Sequence, residues 1–225
     1  MREKSIYEMY IKRVLDIVLS LAFIILLSPV ILILIVTGTI AMAGNPFFVQ
    51  ERPGKHEKIF KMIKFRTMTN KRDRYGQLLP DKMRLTKYGV FLRKTSLDEI
   101  PELFNIFIGK MSFVGPRPQL IKDLWFMNDE QRRRHDVIPG LTGLAQINGR
   151  NNINWNQKLA YDIEYIKDIR LINDIKIIFK TIGIVLSRSD VEREGTSSDM
   201  DFGDWLLKEG YITKDNYNAI LNAEI

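Results

Sequence analysis

No ionisable side chain occurs between Ile17 and Gln50. Inside that stretch lies LSLAFIILLSPVILILIVTGTIAMAG, residues 19–44. About 20 apolar residues are enough to cross a bilayer, and this run is too long and too uniformly apolar for the core helix of a soluble domain. A cleaved signal peptide fits poorly, because its apolar core is shorter than this run. The segment is therefore expected to associate with a membrane. A straight helix over residues 17–44 would be about 42 Å long, more than the roughly 30 Å of a hydrocarbon core. Ser28-Pro29 stands in its middle. Proline removes one helical hydrogen bond and crowds the preceding turn, and the serine hydroxyl can cap the freed carbonyl. The flanks on both sides are basic. Arg2, Lys4, Lys12 and Arg13 precede the segment, and residues 51–74 hold nine Lys/Arg against three acids. Basic flanks prefer the cytoplasm. If both obey, the segment is a re-entrant hairpin bent at Ser28-Pro29; a kinked span with the N-terminus outside is the alternative.

The rest of the chain is charged unevenly. The total over 225 residues is +7, but residues 190–225 contain three basic and nine acidic residues, leaving +13 on residues 1–189. An acidic extension thus follows a basic body. There is no cysteine and there are two histidines, His56 and His135. Disulfides, thiolate chemistry and a four-ligand Cys/His zinc site are excluded. No zinc-finger spacing and no aromatic RNA-binding platform accompanies the basic stretch. An anionic leaflet accounts for it better than nucleic acid does.

Local pattern predicts a strand over Pro46–Glu51, a turn at Arg52–Lys55 and a return strand over Lys58–Met68. A polar loop follows over Asn70–Lys82. Helical pieces are expected at Tyr88–Arg93, Ser96–Ile108, Gln119–His135, Trp155–Lys167 and Ile172–Ser187, with a short strand at Leu144–Asn148. The helix ending at Ser187 interleaves Ile175, Ile178, Phe179, Ile182 and Leu186 with lysines. That pattern suits a core-facing helix and equally one lying in the membrane interface. The acidic extension reads as weakly structured, with helices near Phe202–Leu207 and Asn216–Leu221.

Three clusters could carry chemistry. Ser96-Leu97-Asp98-Glu99 reads as a capping box, with Ser96 as N-cap and Glu99 at N3. The same residues suit phosphoryl chemistry. A first-turn aspartate beside free N–H groups, Arg93 and Lys94 can attack phosphorus, and adjacent acids can share a divalent cation with a pyrophosphate. In Gly115-Pro116-Arg117-Pro118, flanking prolines aim Arg117 narrowly, as phosphate recognition requires. In GLTGLAQINGR (140–150), glycines allow a backbone to approach a ligand, and Gln146 and Arg150 can contact its polar groups. Neither nucleotide-loop fingerprint is present, and both histidines read as surface or structural residues and not as metal ligands.

With these residues in view, the chain resembles the bacterial sugar transferases, specifically the small monotopic phosphoglycosyl transferases. The likeness covers about residues 10–190. It runs through KRVLDIVLS (12–20), Ser28-Pro29, ERPG (51–54), FKMIKFRTM (60–68), SLDEIPELFN (96–105), MSFVGPRP (111–118), RHDVIPGLTGLAQINGR (134–150) and YDIEYIKD (161–168). The resemblance implies an α+β, membrane-associated monotopic fold with a re-entrant helix broken at Ser28-Pro29, a short β-hairpin and amphipathic interfacial helices. It divides the chain into a membrane helix (1–45), a catalytic domain (46–190) and an acidic extension (191–225). The implied reaction moves a sugar-1-phosphate from a UDP-sugar to polyprenyl phosphate, releasing UMP, at the cytoplasmic face of the bacterial cell membrane. Asp98 would be the nucleophile, with Asp98 and Glu99 holding Mg²⁺, and Arg117, Arg93, Gln146 and Arg150 would bind substrate. Membrane lipids and downstream glycosyltransferases are the implied partners. A non-catalytic scaffold, or a transferase using another nucleotide sugar, is the alternative.

Overall fold

The computed structural model describes residues 5–149, 153–187 and 200–223. It is largely helical, with one long apolar helix at the N-terminal end and a small antiparallel hairpin, the build of a monotopic membrane transferase. A π-helical turn, Tyr7–Ile11, leads into α1 (Lys12–Met42). The hairpin is β1 (Phe47–Pro53) and β2 (Ile59–Phe65), with Phe47 opposite Phe65 and Arg52 opposite Phe60. Then come α2 (Asp81–Arg84), α3 (Lys87–Lys94), a 3-10 turn Leu97–Glu99 and α4 (Glu102–Phe107). A second, parallel pair joins β3 (Ser112–Val114) to β4 (Gly140–Thr142), with α5 (Ile121–Trp125) and α6 (Asp129–Arg132) between them. The remaining helices are α7 (Leu144–Ile147), α8 (Trp155–Lys167), α9 (Leu171–Ser187), α10 (Phe202–Lys208) and α11 (Lys214–Ala223).

Helix α1 runs through Ser28-Pro29 without ending there. The expected break is a local lesion in the hydrogen-bond ladder. Pro29 has no N–H to offer the carbonyl four residues back, which is that of Ile25. The Ser28 hydroxyl donates to that same carbonyl at 2.8 Å, so the freed acceptor is satisfied inside the helix. One stripe of α1 packs on the body on both sides of the proline. Asp16 accepts from the Phe113 N–H at 3.1 Å. Ile24 and Leu27 pack against Phe60, Met62, Leu103, Ile106 and Met111. Ile31 and Ile35 flank the cluster of Leu34, Phe65 and Leu92. At the far end the Tyr88 hydroxyl donates to the Leu34 carbonyl at 3.0 Å, and Gly38 lies beside Pro46 and Tyr88. The opposite face, including Val18, Ile25, Leu26, Leu32, Ile33 and Ile40, is apolar and exposed. The cations at its start are tied inward: Lys12 pairs with Asp174, and Arg13 donates at 2.7 Å to each of the last α4 carbonyls, Ile106 and Phe107.

Three predicted elements come out differently. The Ser96–Ile108 helix is split, because Pro101 starts α4 anew after the 3-10 turn. Gln119–His135 is divided at Asn128, whose side chain caps α6 through the Gln131 N–H and receives Gln131 in return. Leu144–Asn148 is the helix α7, not a strand; Leu, Ala and Gln favour helix, and the strand lies just before it at β4. The acidic extension is helical where expected, and its part from Met200 to Gly203 is built into the body. Phe202 is 1% exposed among Leu124, Met127, Trp155 and Leu159.

Candidate active site

A strand, a turn and a rigid loop converge on the acid pair. In β2, alternation puts Lys64 on the inward face with Phe60 and Met62. Asn105 of α4 closes the free edge of this strand: its Nδ2 donates to the Lys61 carbonyl at 2.8 Å, and its Oδ1 accepts from the Ile63 N–H at 3.1 Å. That seam fixes the turn carrying Asp98 and Glu99 against Lys64. Ser96 enters the turn with φ 54° and makes no side-chain cap, so the predicted capping box does not form; an N-cap requires extended backbone. Glu99 turns to cations instead. Its Oε1 accepts from Lys64 Nζ at 2.8 Å and pairs with Arg117 Nη2. Lys64 also lies 3.0 Å from Oε1 of the buried Glu102.

The two adjacent carboxylates experience opposite fields. Burial alone would raise Glu99, but Arg117 and Lys64 outweigh it and hold the group well below the usual range. Asp98 is pushed up to about 6, first by burial and then by the charge on Glu99. Among the described residues its carboxylate makes no side-chain hydrogen bond. Glu102 is raised mainly by burial. One acid is thus held ionised by its partners while its neighbour is raised, a contrast common in sites where two carboxyls take different roles.

Arg117 is clamped from behind as well. Gly115, Gly140 and Gly143 bring their backbones so close that a Cβ on Gly140 would stand 2.1 Å from the Gly115 nitrogen. These glycines therefore serve backbone-to-backbone packing, where the sequence suggested approach to a ligand. Arg134, 2% exposed, donates from Nη2 to the Arg117 carbonyl at 2.6 Å. Its Nε and Nη2 also reach Asp162 Oδ2 at 2.9 and 2.7 Å. The Arg117 side chain keeps 39% of its surface open.

All of this opens into a cleft of about 1690 Å³. Asp98, Glu99, Arg93, Arg117 and Gln146 line it together. Arg93 donates from Nε to Thr67 Oγ1 at 3.2 Å. Both amide atoms of Gln146 are buried and make no hydrogen bond among the described residues. Arg150 lies outside the described residues. Sequence reasoning missed Lys64, Glu102 and Arg52. Arg52 also lines the cleft, with Nε buried and unpaired, and burial and then Arg117 lower it to about 10. The signal for Lys64 was a lysine on the inward side of an alternating strand; for Glu102, an acid one turn before Ile106 on a buried helix face. His135 is buried and held neutral, at about 4, by desolvation and Arg134.

Among the described residues no group of three or more His, Cys, Asp or Glu could hold a metal by itself. Mg²⁺ commonly takes one or two carboxylates and completes its shell with substrate phosphates and water. The uncommitted Asp98, with Glu99 engaged only through Oε1, fits such a donor set.

The sequence model described as bacterial sugar transferase matches residues 7–188. The chain belongs to the bacterial sugar transferase family. This sugar transferase is 43% identical over 185 residues to the uncharacterized sugar transferase EpsL of Bacillus subtilis, covering 82% of this chain and 92% of that one. It is 40% identical over 190 residues to the UDP-glucose:undecaprenyl-phosphate glucose-1-phosphate transferase of Klebsiella pneumoniae, 78% of this chain and 40% of the relative. The undecaprenyl-phosphate galactose phosphotransferase of Salmonella typhimurium is 37% identical over 80% of this chain and 41% of its own. The sugar transferase therefore spans nearly all of the Bacillus protein but about two fifths of the other two.

Proposed function

We propose that this chain transfers a sugar-1-phosphate from a UDP-sugar to polyprenyl phosphate, giving polyprenyl-diphosphate-sugar and UMP, through a covalent intermediate on Asp98. The observation that carries the reading is the pairing of an uncommitted Asp98 with a Glu99 locked by Arg117 and Lys64, inside a cleft rich in cations. The reaction names of the Klebsiella and Salmonella relatives supply the substrates.

In the first step a carboxylate oxygen of Asp98 attacks the sugar-bearing β-phosphorus. The Asp98 O–P bond forms, the bond from that phosphorus to the bridging oxygen breaks, and UMP leaves with the electron pair. In the second step a phosphate oxygen of the polyprenyl carrier attacks the same phosphorus and Asp98 leaves as carboxylate. No oxidant or reductant is needed. Arg117, aimed by Glu99 and by the Arg134–Asp162 pair, bears on the phosphate oxygens, and Arg93 and Arg52 add positive charge along the cleft. Gln146 and Arg150 complete the set proposed to bind substrate. Glu99 acts on Asp98 by keeping Arg117 and Lys64 in place, whose charge favours the Asp98 carboxylate against burial and against the charge of Glu99 itself. Mg²⁺ held by Asp98 and the remaining oxygen of Glu99 would draw charge from the pyrophosphate.

The site is proposed to face the cytoplasm, at the headgroups of a very apolar carrier. Packing of α1 on the body from Asp16 to Gly38 supports a re-entrant placement with both ends on one side. Release of UMP from a panel of UDP-sugars, with undecaprenyl phosphate and Mg²⁺ in detergent or vesicles, tests the reading. Turnover is expected in the wild type and not in Asp98→Asn; persistent turnover in a folded Asp98→Asn protein would remove Asp98 as nucleophile.

A further inference from the structure

The family match ends at residue 188, yet the cleft does not end with it. Met200 and Asp201 line the same cavity as Asp98 and Arg117. They are held there by a dense set of contacts. The Trp155 indole N–H donates to the Met200 carbonyl at 2.9 Å, and the Phe202 N–H donates to Asp123 Oδ1 at 2.8 Å. Asp201 pairs with Lys122. Phe202 fills the pocket between Trp155 and Leu124, and Gly203 lies so close to the Phe126 ring that a Cβ would stand 2.5 Å from it. Phe126 in turn stacks on Tyr217, whose hydroxyl donates to Asp204 at 2.6 Å. Burial of this kind fixes the segment's position relative to α5 and the start of α8.

We infer that Met200 and Asp201 form one wall of the donor site, and that the Asp201 carboxylate accepts a hydrogen bond from a hydroxyl of the nucleotide sugar. This deepens, and rests on, the function proposed above. The argument is one of charge. The cleft is lined by Arg52, Lys64, Arg93 and Arg117, which suit phosphate oxygens. A carboxylate lining the same cleft, even one paired with Lys122, suits an uncharged part of the substrate that carries donors better than it suits a phosphate. Asp201 is 25% exposed at its side chain and does not cap α10; Lys122 pairs with Oδ2, and among the described residues Oδ1 accepts no hydrogen bond. Such hydroxyls exist on the ribose and on the hexose.

Two substitutions separate this role from a structural one. Asp201→Asn keeps the shape and removes the charge. Lys122→Ala breaks the same ion pair and leaves the carboxylate. Asp201→Asn is expected to raise KM for the UDP-sugar about fivefold, since the amide oxygen still accepts the bond but without the charge that strengthens it, with KM for undecaprenyl phosphate unchanged. Lys122→Ala is expected to leave both near wild type. If the hydroxyl belongs to the hexose, Asp201→Asn changes the ranking of kcat/KM among UDP-sugars; if to the ribose, all donors and inhibition by UMP weaken equally. An active wild type in which Asp201→Asn leaves donor KM unchanged, or in which Lys122→Ala matches Asp201→Asn, overturns this inference alone. A wild type that releases UMP from no UDP-sugar overturns the transferase reading and this one with it.

Discussion

Ionising Asp98 costs folding free energy, because burial and the neighbouring Glu99 charge both oppose it. Its native pKa of about 6 lies above the 3.8 of the ordinary group. The native state therefore holds more protons between these values, and this contribution to stability falls as pH rises from about 4 to about 6. Above that range the penalty is complete. Asp98→Asn is accordingly expected to lose turnover and yet melt roughly 2 °C higher at pH 7.5, the gap closing below pH 4 in thermal scans. In the wild type, kcat/KM for the donor should fall as pH drops through about 6, where the nucleophile takes up a proton. Arg134 gives a second test. Arg134→Met leaves Asp162 buried without its partner and is expected to cost about 3–5 kcal/mol. Adding Asp162→Leu should restore much of the stability seen in denaturation, but not activity, since the Arg117 carbonyl still lacks its donor. Asp98, Glu99 and Arg117 were legible because they sit in short, chemically telling strings. Arg134 and Asp162 were not, since 28 positions separate them and only the fold makes them neighbours.

The elements were read with uneven success, and the failures share a cause. The hairpin, α8 and α9 follow from alternation or helical period over enough residues to outvote single exceptions. The short pieces around the site do not. Ser96 is an ordinary N-cap residue placed in left-handed backbone, because the chain must turn there to present Asp98. Lys64 and Glu102 look solvent-facing by type but lie on inward faces. In α1 the proline was read correctly as a lost hydrogen bond and the serine as its remedy, but the helix tolerates the pair instead of stopping. Topology can be tested on the native cysteine-free chain by placing a cysteine at the exposed Ile6. An impermeant maleimide should label it in inverted vesicles and not in right-side-out ones; the opposite pattern would put the N-terminus outside.

Across the whole molecule, exposed apolar side chains form the outer face of α1 and recur on Phe104 and Phe107 of α4, on Ile108 just after it, and along α9. Phe179 is 69% exposed and Leu186 77%. Burying each such side chain in lipid is worth about 2 kcal/mol. Phe179→Asp with Leu186→Asp is therefore expected to weaken vesicle binding, measured by flotation with α1 intact, while circular dichroism stays unchanged. The segments expected to form separate membrane and catalytic parts share two hydrophobic clusters, since Ile24, Leu27, Ile31 and Ile35 help cover residues of β2, α3 and α4. That sharing makes α1 part of the body's own core. Asp16 and Ser20 are buried only where the body covers them, and Phe60, Met62, Phe65 and Leu92 lose part of their cover wherever α1 is absent. A truncation that removes α1 would therefore take away an inner wall of the catalytic body along with its membrane anchor.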